Sequence, residues 1–166
     1  MYKMTYITPD GFDNIIMESD GDYLTRLEFT NEEVICCNKE VFSEVVKWLD
    51  IYFSGVKPIF TPKFKVIGVS NFCLSVIDEI KDISFGELLT YGDIAKSIAK
   101  KRGIKRMSAQ AVGGALHRNP ICLILPCHRV IGKNGSLTGY GGGINNKLNL
   151  LKLEGSYKDS MSLPKE

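Results

Sequence analysis

Residues 90–120 read TYGDIAKSIAKKRGIKRMSAQAVGGALHRNP, and this stretch decides the fold of the second half of the chain. Thr90 stands three residues before Asp93, the spacing of a helix N-cap with an acidic partner. Tyr91, Ile94, Ala95, Ile98 and Ala99 then keep helical periodicity, and Gly103 closes the helix. Ser108 is placed to cap a second helix that reaches about His117 and is stopped by Asn119-Pro120. Two short helices joined by a compact basic turn, Lys100 to Arg106, predict a helix-turn-helix.

The second of these helices has two unlike faces. Val112, Ala115 and Leu116 form an apolar face, whereas Gln110, Gly113, Gly114 and His117 share the other. Each glycine inside a helix costs about 1 kcal/mol relative to alanine. A face so bare is explained if a DNA groove approaches the backbone, or if the helix packs tightly within the protein. The residues alone leave both readings open.

Downstream, Ile121–Leu125 is a short apolar run that predicts a buried strand. It delivers Pro126-Cys127-His128-Arg129-Val130. A cysteine beside a histidine and an arginine is where a thiolate is expected, because nearby positive charge favours the ionised sulfur. The dipeptide is weak alone, since adjacent side chains often point apart. Lys133-Asn134-Gly135-Ser136 reads as a turn, and Gly139 to Gly143 is a glycine run broken only by Tyr140. A phosphate-binding G-x-x-x-x-G-K-[ST] is absent. Ile144, Leu148 and Leu151 begin a last helix that ends near Glu154-Gly155.

Upstream, Tyr2–Ile7, Asn14–Glu18 and Tyr23–Phe29 read as strands separated by Pro9-Asp10-Gly11 and Asp20-Gly21-Asp22 turns. Residues 40–53 switch to helical spacing through Val41, Val45, Leu49 and Tyr52, with Trp48 beside them, ended by Gly55 and Pro58. Thr61-Pro62 to Gly68 reads as a linker or a last strand. Phe72, Cys73, Val76, Ile77 and Ile80 give a further helical stripe. The expected organisation is a small α/β scaffold over 1–68, a mainly helical domain over 69–158, and a tail over 159–166.

Composition narrows the function classes. A hydrophobic share of 44% over 166 residues argues for a packed core and against disorder. No apolar run is long enough for a membrane span, and the residues after Met1 carry no secretory pattern, so a cytoplasmic location is expected. Five cysteines, no C-x-x-C and only His117 and His128 argue against a disulfide framework and a zinc site. Cys36, Cys37, Cys73 and Cys122 read as small buried hydrophobes. Residues 1–70 hold 7 Lys/Arg against 11 Asp/Glu, and residues 71–166 hold 14 against 8. That asymmetry points to a polyanion meeting the second half.

These motifs together resemble the O6-alkylguanine-DNA alkyltransferases. Pro126-Cys127-His128-Arg129-Val130 is similar to that family's active-site signature. Thr90-Tyr91-Gly92, Ala111-Val112-Gly113-Gly114-Ala115, Asn119-Pro120, Gly139-Tyr140-Gly141-Gly142-Gly143, Lys147 and Glu154-Gly155 follow in the family's order and spacing. The match spans roughly residues 70–155. The resemblance implies an α/β protein: a ribonuclease-H-like N-terminal domain, more weakly matched, and a winged-helix-like C-terminal domain carrying the helix-turn-helix.

The resemblance also implies chemistry. A guanine alkylated at O6 is flipped out of duplex DNA, and its alkyl group passes once and irreversibly to Cys127. His128 acts as base through a water, oriented by Glu154. Tyr91 protonates the leaving guanine and helps turn its phosphate. Asn119 braces the turn, and Lys147 sits near a pocket formed by Val130, Tyr140 and Gly141. Thr90, Arg106, Gln110, Ala111, Gly113, Gly114 and Arg118 face the DNA. No cofactor, metal or membrane is implied, and nothing asks for more than a monomer. Arg129 takes a structural and electrostatic role.

Two positions depart from the family. Gln110 stands where relatives commonly insert an arginine into the duplex, and is expected to plug the gap without charge. Gly141 stands where a serine is frequent, leaving a backbone N–H for the guanine oxygen and room for larger alkyl groups. Two other classes stay open on the residues alone. One is a lesion-sensing or regulatory DNA-binding protein with an incidental cysteine, although family members that bind without repair lack the cysteine. The other is a thiol hydrolase, which leaves the helix-turn-helix unexplained. Without the family, Tyr91 reads equally as core, His128 as a structural histidine and Glu154 as a surface acid.

Overall fold

The computed structural model describes residues 1–36, 40–137 and 140–162. Cys37, Gly139 and the end of the expected tail lie outside the described residues. The chain divides into two compact units, Met1–Ile67 with Pro120–Ile124, and Gly68–Asn119 with Leu125–Glu166.

The first unit is built on three antiparallel strands in the order β1-β2-β3: β1 (Tyr2–Tyr6), β2 (Asn14–Ser19) and β3 (Leu24–Thr30). The register pairs Met4 with Met17 and Met17 with Leu27. Asp20 makes the second turn by accepting from the Asp22 and Tyr23 amides at 2.9 and 2.8 Å. Glycine is required there, since Gly21 sits at φ 110°. A 3-10 turn, Glu40–Phe42, leads into α1 (Ser43–Phe53). Helix α1 buries Val45, Trp48, Leu49 and Tyr52, the spacing of a single face. Val41 precedes the helix, within the 3-10 turn. The helix is tied to the sheet by Tyr6, whose hydroxyl donates to Asp50 at 2.6 Å and whose ring stacks on Phe53 at 6.0 Å.

The outer edge of β3 would expose unpaired backbone groups. Two single bridges cover it instead, Leu24 with Phe64 and Leu27 with Ile121. The Leu27 amide donates to Pro120 O and the Cys122 amide donates to Leu27 O, both at 2.8 Å. These bonds draw Pro120–Ile124, from the span expected for the second domain, into the first unit. They also correct the strand expected over Ile121–Leu125: only Ile121 makes a bridge, and Leu123, at φ 71°, turns the chain before a ladder forms.

The second unit contains α2 (Asn71–Ile80), β4 (Leu89–Thr90), α3 (Tyr91–Arg102), α4 (Ala109–Leu116), β5 (Val130–Ile131) and α5 (Ile144–Leu153). Helix α3 starts in a complete capping box, with Thr90 Oγ1 accepting from the Asp93 amide and Asp93 accepting from the Thr90 amide. It ends at Gly103 in the left-handed conformation, φ 66°. Ser108 caps α4 by accepting from the Ala111 amide at 3.1 Å. Helices α2, α3 and α4 pack on one another around Val76, Ile80, Ile94, Ile98, Val112 and Ala115. The parallel pair β4–β5 joins Leu89 to Val130 and so sets the start of α3 beside the turn that precedes β5.

A second cluster, Ile131, Leu137 and Leu151, anchors α5. Met161 packs on it, and Leu137 N donates to Ser162 O at 2.8 Å. The chain through Ser162 is therefore attached to this unit. Among the described residues no helix is long and apolar enough to cross a membrane, and no group of three or more His, Cys, Asp and Glu is arranged to hold a metal.

Candidate active site

Cys127 opens a 3-10 turn, Cys127–Arg129, that is buried at every residue. The turn is held from behind: the Asn119 side-chain amide donates to Leu125 O at 2.9 Å, and the Cys127 amide donates to the same oxygen at 2.8 Å. Asn119 lies three residues past the end of α4, so its bond ties the Cys127 turn to the end of that helix.

His128 and Arg129 both meet one carboxylate. His128 Nε2 lies 2.5 Å from Glu154 Oε2. Arg129 donates through Nε to Oε1 at 2.7 Å and through a terminal nitrogen to Oε2 at 3.2 Å. The Gly86 amide is a second donor to Oε1, at 3.2 Å. Arg129 also donates to the Ile83 carbonyl at 2.6 Å. Glu154 is thus an interior residue whose acceptor sites are filled, in contrast to the surface acid that its sequence neighbours suggest.

The protonation states follow. Burial works against ionisation of Glu154, but the hydrogen bonds and charges of His128 and Arg129 outweigh it and hold the carboxyl well below the usual carboxylate range. His128 is completely buried, and that burial, though opposed by Glu154, lowers its pKa from 6.5. The resting pair is therefore a neutral imidazole against a carboxylate. Since Glu154 accepts, Nε2 carries the proton and Nδ1 is the basic nitrogen.

On the other side of the turn stand Tyr91 and Lys147. Lys147 Nζ donates to Val130 O at 2.6 Å and to Tyr91 Oη at 3.4 Å. It lies 5.6 Å from the Tyr91 ring centre and 5.9 Å from that of Tyr140. Burial of this lysine lowers its pKa to about 8, while the charge of Cys127 pulls the other way. Burial, together with the Cys127 charge, pushes Tyr91 up to about 12, so Tyr91 remains a phenol. Lys147 and Glu154 both come from α5 and its cap, seven residues apart and so on one face.

The residues expected to meet DNA form a separate, exposed group. Gln110, Ala111 and Arg118 are exposed on or just after α4, and Arg106 is exposed in the preceding turn. Thr90 is half-buried, its hydroxyl committed to the cap. The two α4 glycines differ. A Cβ on Gly113 would touch the Tyr91 ring at 3.8 Å, whereas one on Gly114 would meet nothing within 4 Å. Both positions leave room for a methyl group, so packing within the protein requires glycine at neither.

Gly141 has a local reason to be glycine. A Cβ there would lie 3.2 Å from His117 Nδ1 and 3.3 Å from His117 O. The space expected for larger alkyl groups is bounded on that side by the end of α4. Sequence reasoning missed the Ile83 carbonyl, the Gly86 amide and His117. The first two act through backbone atoms, which leave no residue-type signal.

Comparison with known proteins places these observations. Residues 71–156 match the 6-O-methylguanine DNA methyltransferase, DNA binding domain, family model. A methylated-DNA–protein-cysteine methyltransferase of Methanosarcina acetivorans is 47% identical over 119 residues, 72% of each chain. Its Haemophilus influenzae counterpart is 35% identical over 162 residues, 93% of this chain and 86% of that one. Among solved structures, Mycobacterium tuberculosis OGT in complex with DNA superposes with a TM-score of 0.76 at 35% identity, covering 94% of both chains.

Proposed function

Because this chain belongs to the methylated-DNA–protein-cysteine methyltransferase family, we propose that it repairs O6-alkylguanine in duplex DNA by moving the alkyl group irreversibly onto Cys127. The observation that carries the assignment is the buried Cys127–Arg129 turn, flanked by the Glu154–His128 pair on one side and the Lys147–Tyr91 pair on the other.

The geometry supports the following roles. His128 Nδ1 receives the Cys127 thiol proton through a water, while Glu154 fixes the tautomer and supports the imidazolium that forms. The thiolate attacks the alkyl carbon, an S–C bond forms and the C–O6 bond breaks. The electron pair passes to the guanine, and Tyr91 gives a proton to the ring. Lys147 holds the Tyr91 hydroxyl and supplies positive charge near the sulfur. The backbone of Val130, Tyr140 and Gly141 reads the flipped base. Because the thioether is stable, each molecule acts once, without a cofactor.

Helix α4 meets the duplex, with Gln110 filling the place of the extruded base, Ala111, Gly113 and Gly114 in the groove, and Thr90, Arg106 and Arg118 towards phosphates. We read residues 1–68 as a ribonuclease-H-like scaffold and 69–158 as a winged-helix-like domain, in a monomer that works in the cytoplasm.

Stoichiometry tests the reading. Incubation with an excess of duplex carrying O6-methylguanine is expected to remove one methyl per protein molecule and then stop. Continued turnover would indicate a hydrolase, and lesion binding with no loss of methyl would indicate a sensor.

A further inference from the structure

Helix α3 sorts its cations onto two sides. Lys101 pairs with Glu79 at 2.7 Å. Arg102 donates to the Ser75 hydroxyl at 3.3 Å and lies over the Phe72 ring. Both are engaged with α2. Lys96 and Lys100 line instead a groove of about 510 Å³ between α3 and the turn that follows it. Lys105 and Arg106, from the turn, line it too. All four are exposed, and among the described residues none of them forms an ion pair. Asp93 lies near Lys96, but its carboxylate is tied to the Thr90 cap.

We propose that this groove is a further DNA-binding surface, holding the phosphodiester backbone that flanks the lesion. The inference rests on the alkyltransferase reading above and extends its DNA footprint from Arg106 to Lys96, Lys100 and Lys105. Three observations support it. The α3 residues that line the groove between its lysines, Ala95 and Ala99, are small and leave room for a strand. Lys96 and Lys100 are one helical step of four residues apart, about 6 Å along the axis, close to the roughly 7 Å rise of two nucleotide steps. The groove also adjoins the proposed site at both ends, through Gly92 beside Tyr91 and Ala109 beside Gln110. Lys100, Lys105 and Arg106, which form no ion pair among the described residues, together with Lys96 beside the helix cap, match a polyanion better than a small ligand.

The salt dependence of binding tests the proposal. Affinity for a duplex long enough to reach past the helix-turn-helix is measured against KCl for the wild type and for the double variant Lys96→Gln/Lys100→Gln. Each lost phosphate contact lowers the slope of log K against log salt by about 0.9. The wild type should therefore lose about tenfold more affinity than the double variant between about 50 and about 200 mM KCl. Alkyl transfer from free O6-alkylguanine base, which has no phosphate, should be unchanged and reports that the variant is folded. Equal slopes, with transfer to Cys127 intact, overturn the groove while leaving the repair function standing; a protein or other acidic partner in the groove gives this same result. A wild type that neither binds duplex nor accepts an alkyl group overturns both.

Discussion

His128 Nε2 and Glu154 Oε2 lie 2.5 Å apart, and neither side chain reaches solvent. Glu154 is also the counter-charge of Arg129, so one buried carboxylate orients His128 and neutralises a guanidinium. Both roles depend on its charge.

Replacing Glu154 with glutamine keeps the shape and removes that charge. Arg129 is then left buried without a counter-ion, which costs about 3–5 kcal/mol when a buried pair is broken. Urea unfolding should show this loss. Alkyl transfer should slow by about 10²-fold or more, because the imidazolium formed on His128 loses the negative charge that supports it. A variant of wild-type stability would refute the buried-pair description.

The same pair makes stability fall in acid. Stability rises with pH wherever the unfolded chain binds more protons than the folded one. Below about 6.5 the unfolded chain protonates His128, which the folded protein keeps neutral. Below about 4.5 it protonates Glu154, whose carboxyl is held ionised in the fold. Both shifts are downward, so both contributions are complete above about 6.5 and are lost progressively as pH drops. Urea midpoints measured from neutral pH to pH 4 should decline steadily. His128→Phe should flatten the upper part of the curve.

Much of the second unit was legible in the chain. Thr90, Asp93, Gly103 and Ser108 act within three or four residues of themselves, and local hydrogen bonding determines their conformation. The β4–β5 pair was not legible, since two residues per strand carry no periodicity. Glu154 is the clearest case of long-range dependence. Its partners lie 25 and 26 residues away, so neighbouring residues suggest only a solvated acid, and its role came from family resemblance. The run Ile121–Leu125 is apolar because it is buried, but a positive φ at Leu123 replaces the expected strand with a turn.

Tyr91 donates its proton only while it remains a phenol, and burial ensures that by raising its pKa to about 12. Tyr91→Phe keeps the ring against Gly113 and removes the donor. Single-turnover transfer should slow by about 10²–10⁴-fold, while stability changes by about 1 kcal/mol. An unchanged rate would exclude Tyr91 as the acid.

Gly114 separates folding from binding. Nothing lies within 4 Å of its absent Cβ, so Gly114→Ala should stabilise α4 by about 1 kcal/mol. If the helix lies against a DNA groove, the added methyl should weaken duplex binding and leave transfer from the free alkylated base unaffected. Unweakened duplex binding would move the contact surface away from this face of α4.

The most direct test is the intact mass of the protein after reaction with a duplex bearing one O6-methylguanine, followed by peptide mapping. The account predicts the gain of a single methyl group in place of one hydrogen, located on Cys127 and absent in Cys127→Ala. An unmodified protein, or a methyl group on any other residue, would contradict it.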